Sequence, residues 1–98
     1  LTRFRLLYSD TSHHLIRRLH PDIKPFLKKS IEKLRMHPYQ GKALIEELSG
    51  YYSLRFRRYR VIYRIDETKK IIEVHYVGHR RDIYEEFRKL IEKRKDVL

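Results

Sequence analysis

The sequence contains no cysteine, which excludes disulfides, thiolate metal sites and a cysteine nucleophile, and removes any tie to an oxidising compartment. Stability must therefore come from packing. Three glycines and three prolines leave sparse punctuation, so each marks a boundary worth reading. No apolar run approaches the roughly 18 residues of a membrane span, and the opening LTRFRLLYSD is too short and too polar for a signal peptide. The expectation is a soluble, cytoplasmic protein without a membrane partner. No internal repeat, low-complexity tract or Gly/Ser linker interrupts the chain, and at 98 residues it reads as a single domain over 1–98. HExxH, CxxC, paired-carboxylate and glycine-rich phosphate-loop patterns are all missing, and the adjacent His13 and His14 diverge on a helix. No metal and no small-molecule cofactor is expected.

Charge is what the chain has in excess. Against 13 Asp and Glu stand 24 Lys and Arg, a net charge of +11. That imbalance favours a polyanionic partner through steering and counterion release. Nucleic acid or the ribosome comes first; an anionic membrane surface or an acidic protein would satisfy the same charge. An apolar content of 41%, with 12% aromatics, is enough for a packed interior.

Hydrophobic periodicity orders the elements as β-α-α-β-β-β-α. Phe4 to Tyr8 is a short β-prone segment, ended by the turn and N-cap residues Ser9 to Ser12. Leu15, Ile16 and Leu19 then mark a helix ending near His20, before Pro21. Ile23, Phe26, Leu27, Ile31 and Leu34 mark a second helix opened by Pro21, with Lys24, Lys28, Lys29, Lys33 and Arg35 mostly on its remaining surface. Gly41 to Gly50 reads as a connection with one helical turn at Ala43 to Glu47. After Gly50 the period becomes two: Tyr52, Leu54 and Phe56, then Tyr59, Val61, Tyr63 and Ile65. Asp66 to Lys70 is a turn into a β-branched strand, Ile71 to Val77, terminated by Gly78. From Arg81 the helical period returns with Ile83, Phe87, Leu90 and Ile91, followed by a basic tail, Lys93 to Lys95. This order predicts an α+β fold: an antiparallel sheet of about four strands with the helices packed on one face. If the helices cover Leu54, Phe56, Val61 and Tyr63, alternation sends Arg55, Arg57, Arg60 and Arg64 to the other face.

Two clusters carry candidate chemistry. Arg55, Arg57, Arg58, Arg60 and Arg64 fall within ten residues that contain no acid, interleaved with tyrosines. Guanidinium forks bind phosphates bidentately, and both residue types stack on unpaired bases, as single-stranded RNA sites require. Alternating arginines also solubilise the open face of a sheet without binding anything. The second cluster is Gly78-His79-Arg80-Arg81 with Tyr84 one helical turn on. Histidine as a residue type titrates near neutral pH, which suits proton transfer, although a lone exposed histidine is more often inert.

The segments LSGYYSLRFRRYRVIYRID and IIEVHYVGHRRDIYEEF, separated by a charged turn and preceded by two basic helices, resemble the RelE/ParE superfamily of toxins, over nearly the whole chain. The motif pair RRYRVIYRID and VGHRRDIY carries the resemblance. It implies the RelE-like fold and, in the RelE branch, a ribosome-dependent mRNA endoribonuclease. Such a toxin enters the ribosomal A site and cleaves without metal, by attack of a ribose 2′-hydroxyl on the adjacent phosphate, inhibiting translation. Carried over by position, Arg55 and Arg60 would hold phosphate, Arg80 and Tyr84 would be functional, and His79 would be acid or base. Arg57, Arg58, Arg64 and Arg81 would bind the RNA. Ser53 stands where some members have a lysine. A cognate antitoxin that blocks the basic surface is the implied protein partner, alongside the ribosome and mRNA.

Within the same fold, a ParE-like protein acts on DNA gyrase through protein contact and cleaves no RNA. A third possibility is a catalytically inactive RNA-binding or antitoxin-binding domain. Fold alone does not separate these.

Overall fold

The computed structural model describes residues 3–96. It has the expected α+β architecture, with the elements β1 (Arg5–Tyr8), α1 (Asp10–Arg17), α2 (Lys24–Glu32), β2 (Lys42–Ala43), β3 (Tyr52–Phe56), β4 (Tyr59–Asp66), β5 (Ile71–His79) and α3 (Ile83–Asp96). The strands form one five-stranded mixed sheet in the order β1-β5-β4-β3-β2. It differs from the expected antiparallel sheet of about four strands in two ways: β1 pairs parallel to β5, and Lys42–Ala43 pairs with Ser53 and Tyr52 as a short edge strand. The helical turn expected at Ala43 to Glu47 is a 3-10 turn at Glu46–Leu48.

Local chemistry explains the boundaries. The Ser9 hydroxyl caps α1, accepting from the Ser12 N–H at 3.0 Å, and donates to the His75 carbonyl at 3.0 Å. The buried Ser12 hydroxyl donates to the Val74 carbonyl at 2.9 Å. Two small hydroxyls thus fasten the start of α1 to β5, and that of Ser9 also satisfies one of the helix's orphan N–H groups. The helix ends at Arg17, three residues before His20, and Pro21 lies in the connecting turn. Pro25 falls in the first turn of α2, where its missing N–H costs nothing.

α1 and α2 bury one face of the sheet. Ile16, Leu27, Ile31 and Leu34 meet Leu54, Val61, Tyr63, Ile72, Val74 and Val77 in the main core. Each such side chain contributes about 1.5–3 kcal/mol when removed from water. The Tyr63 hydroxyl inside this core donates to the Pro38 carbonyl at 2.7 Å and accepts from the Gly41 N–H at 3.0 Å, tying down the segment after α2.

The helices do not all share that face. α3, which includes the expected basic tail 93–95, packs Ile83 and Phe87 against Ile62 and Leu48 on the opposite face. The β4–β5 register jumps between Ile62 and Tyr63, whose partners are Tyr76 and Val74, leaving His75 as an extra residue in β5. That bulge lets both His75 and Tyr76 lie against Phe87, at ring separations of 6.4 and 5.8 Å. α3 is pinned further by the Tyr76 hydroxyl, 3.1 Å from Glu86; burial, then the Glu86 charge, push the Tyr76 phenol up from its ordinary pKa. Among the described residues no helix is long and apolar enough to cross a membrane.

Candidate functional site

The β3–β4 hairpin sets Arg55 directly across from Arg60, and Arg60 faces Gly78 on its other side. Like charges paired across strands repel, so this pair is strained electrostatically unless an anion lies between them. The same face carries Ser53, which is 1% exposed. Its hydroxyl accepts from Arg60 Nη1 at 3.2 Å and from the Tyr84 hydroxyl at 3.2 Å. A guanidinium from the sheet and a phenol from α3 therefore converge on one buried oxygen. Lys42, opposite Ser53 in β2, adds an exposed cation to this rim. The sequence shows Ser53 only as a polar position in an alternating strand; nothing local marks it as the meeting point of two distant side chains.

The second group lies at the end of the sheet, where Arg58, His79, Arg80 and Arg81 line a hollow of about 550 Å³. The Arg80 N–H donates to the Arg58 carbonyl at 2.7 Å, which joins the β3–β4 turn to the corner after β5. Gly78 does not terminate β5; the strand runs through it to His79, and the exit is made by residues 80–82. His79 pairs with Tyr59, with the two rings 6.1 Å apart and edge-on. Strand alternation puts that pair on the Val61 side of the sheet and Arg60 on the Ile62 side. The imidazole and the Arg55–Arg60 pair thus flank the strand end from opposite faces.

Two of the expected arginines lie elsewhere. Arg57 turns at the hairpin tip with φ of 54° and reaches back over the helical face, its guanidinium 5.4 Å from the Phe26 ring and 5.1 Å from the Phe56 ring. It does not join Arg55 and Arg60, because a turn residue escapes strand alternation. Arg64 shares their face but lies four residues along β4, about 13 Å away. It rests over Tyr51 at 5.3 Å and lines a hollow with Asp66, Glu67 and Glu73, which offset its charge. The face opposite α1 and α2 is also not open, since α3 covers its centre. The structure therefore assembles Arg55, Arg60 and Tyr84 around Ser53, and Arg58, His79, Arg80 and Arg81 at the adjoining corner.

Among the described residues none of these arginines, nor Arg57 or Arg64, forms an ion pair; the pairs present involve other cations. Nor do three His, Asp or Glu side chains gather there as a metal-holding set. What the arrangement offers is unneutralised guanidinium charge beside a phenol at Ser53, a set that can hold a phosphate and stabilise charge developing on it, and an imidazole among further arginines across the strand end, a group able to move a proton.

A family model described as the ParE toxin of the type II toxin-antitoxin system, parDE, matches residues 3–84. The chain belongs to that family. It is similar to Toxin RelG of Mycobacterium tuberculosis, 46% identical over 44 residues, which are 45% of this chain and 51% of the relative. The chain thus spans about half the length of the curated relative it matches. The toxin-antitoxin complex RelBE2 of the same organism contains a chain of similar structure, with a TM-score of 0.74 at 29% identity over 80% of this chain and 99% of that one. The isolated RelE toxin of E. coli shares the fold, with a TM-score of 0.68 at 23% identity over 90% and 98%. This ParE-family chain accordingly sits in the RelE/ParE superfamily of type II toxins, as the motif pair in β3–β4 and β5–α3 implied.

Proposed function

We propose that this ParE-family chain is a ribosome-dependent endoribonuclease that cleaves mRNA without a metal and so inhibits translation. The observation that carries the reading is the facing pair Arg55 and Arg60, unpaired with any acid among the described residues, with Tyr84 on the same Ser53 oxygen as Arg60. In this reading Arg55 and Arg60 hold the scissile phosphate and neutralise the dianionic phosphorane. Tyr84 fixes its orientation, and Arg58, Arg80 and Arg81 hold neighbouring phosphates. The 2′-oxygen attacks the adjacent phosphorus, its proton passes to a base, and the bond from phosphorus to the 5′ oxygen breaks. The products are a 2′,3′-cyclic phosphate and a 5′-hydroxyl that takes up a proton. Arginine, always protonated, is a poor base; His79 has the chemistry for that proton transfer, and it would reach the 2′-hydroxyl only where the RNA passes round the sheet end that separates it from Arg55 and Arg60.

The ribosome would supply the ordered mRNA that a shallow corner cannot hold alone. A cognate antitoxin would cover the basic face; the similar RelBE2 and RelE structures include toxin-antitoxin complexes, and an acidic or amphipathic partner suits a net charge of +11. The cytoplasm, where ribosomes are, is the corresponding location.

The matching family model bears the ParE name, which favours a second reading, inhibition of DNA gyrase by protein contact. Incubating the chain with programmed ribosomes and mapping mRNA ends separates the two. New 5′-hydroxyl ends support cleavage; intact mRNA alongside inhibited gyrase supercoiling supports the second reading.

A further inference from the structure

The helical side of the molecule carries a second concentration of positive charge that the proposed cleavage site does not use. Along α2 and the 3-10 turn that continues it from Lys33, Phe26, Lys29 and Lys33 follow one another at three- and four-residue spacing, so they form one stripe. Phe26 is 52% exposed, an unusual place for a phenylalanine unless something rests on it. What rests on it is Arg57, held between the Phe26 and Phe56 rings. Contact with two rings restrains a long side chain that would otherwise be mobile, while its N–H fork remains exposed. Lys29 and Lys33 are exposed and, among the described residues, make no side-chain hydrogen bond or ion pair. The nearest acid in sequence, Glu32, is engaged by Arg35.

We infer that Arg57, Lys29 and Lys33 form a second RNA-binding track, which takes the phosphate backbone of double-helical RNA. Lys29 and Lys33 stand about 6 Å apart along the axis, one helical turn, and Arg57 extends the line past Phe26 to the hairpin tip. Cations repeating about once per helical turn along one line match the regular phosphate backbone of a duplex. A single strand seated at Arg55 and Arg60 would instead have to bend round the hairpin tip to reach it, because the track lies on the other face of the sheet. Phe26 acts here as the platform that aims Arg57. The track does not depend on the cleavage reading, since it concerns binding alone.

The test uses the full chain with a fluorescent RNA hairpin of uniform stem and, separately, an unpaired RNA of equal length, each titrated over a series of salt concentrations. In the Lys29→Ala/Lys33→Ala double variant, the slope of log affinity against log salt for the stem should flatten by about 2. Binding of the unpaired RNA should change little. Phe26→Ala, with Arg57 intact, should weaken stem binding several-fold by releasing the fork. Circular dichroism on each variant separates a folding defect from lost contact, and Lys29→Gln/Lys33→Gln, which keeps side-chain length, repeats the test on a second background. An unchanged slope in folded variants overturns the track. Equal losses for stem and unpaired RNA overturn the duplex as its occupant. Absence of ribosomal cleavage by the unaltered chain would sink the proposed function and leave this result standing.

Discussion

Arg60 on β4 and Tyr84 on α3 are bound to the same buried oxygen, the Ser53 hydroxyl, each at 3.2 Å. That shared acceptor fixes a guanidinium and a phenol from separate elements relative to each other. It also makes their energies interdependent, because removing either donor changes what the other bonds to.

A double-mutant cycle on Ser53→Ala and Tyr84→Phe should therefore be non-additive. Each single change is expected to cost about 0.5–1.5 kcal/mol of stability through a lost hydrogen bond, and the pair less than the sum, since both delete the same bond. Urea denaturation of the four proteins measures this. Strict additivity would mean that the Tyr84 contact is not formed in solution.

The arginines should divide by position. Arg60→Ala and Arg80→Ala are each expected to abolish ribosome-dependent cleavage with the fold intact. Arg64→Ala, about 13 Å from Arg60 along the strand and beside Asp66, Glu67 and Glu73, should keep most activity. End-mapping on programmed ribosomes gives the ranking; full activity in both Arg60→Ala and Arg80→Ala would refute the site.

Tyr63 gives a pH signature. Burial pushes its phenol up to about 12, against a partial lowering from the Gly41 N–H. The folded pKa lies above the unfolded value of 10.0, so the neutral phenol's contribution is complete below pH 10 and is lost as pH rises from there through about 12. Tyr63→Phe should flatten this alkaline loss. At neutral pH it should cost about 1–3 kcal/mol by orphaning the Gly41 N–H and the Pro38 carbonyl. Thermal melts of both proteins from pH 7 to 11 check each part.

Gly41 itself admits no side chain. A Cβ there would lie 2.6 Å from the Tyr63 hydroxyl and 2.9 Å from the Ser53 carbonyl, so Gly41→Ala should cost about 1–3 kcal/mol through forced displacement. A midpoint shift in urea reads this; an unchanged midpoint would show that the segment after α2 relaxes freely.

Much of the fold is legible in the sequence because its signals are local. The two-residue period of β3 and β4, the Asp66 turn, where the Lys69 N–H donates to the carboxylate at 2.9 Å, and the helical stripe of α2 all lie within windows of a few residues. Non-local features escape. The parallel pairing of β1 with β5 joins strands far apart in the chain, and no turn chemistry announces it. The alternating pattern predicts α3 beside α1 and α2, yet Ile62, between Arg60 and Arg64 on their face, is fully buried and takes its cover from α3 together with Leu48. Arg57 left its strand-mates because it occupies the turn. The arginine-rich run was visible in the sequence, whereas its division into a site around Ser53, a corner at His79 and a track over Phe26 depends on how the hairpin tip folds.

The most direct measurement is cleavage of a defined mRNA on programmed ribosomes by the purified chain, compared with Arg60→Ala, with gyrase supercoiling assayed in parallel. New 5′-hydroxyl ends that require Arg60, with supercoiling untouched, are the expected result. Intact mRNA with supercoiling inhibited would contradict the proposed function.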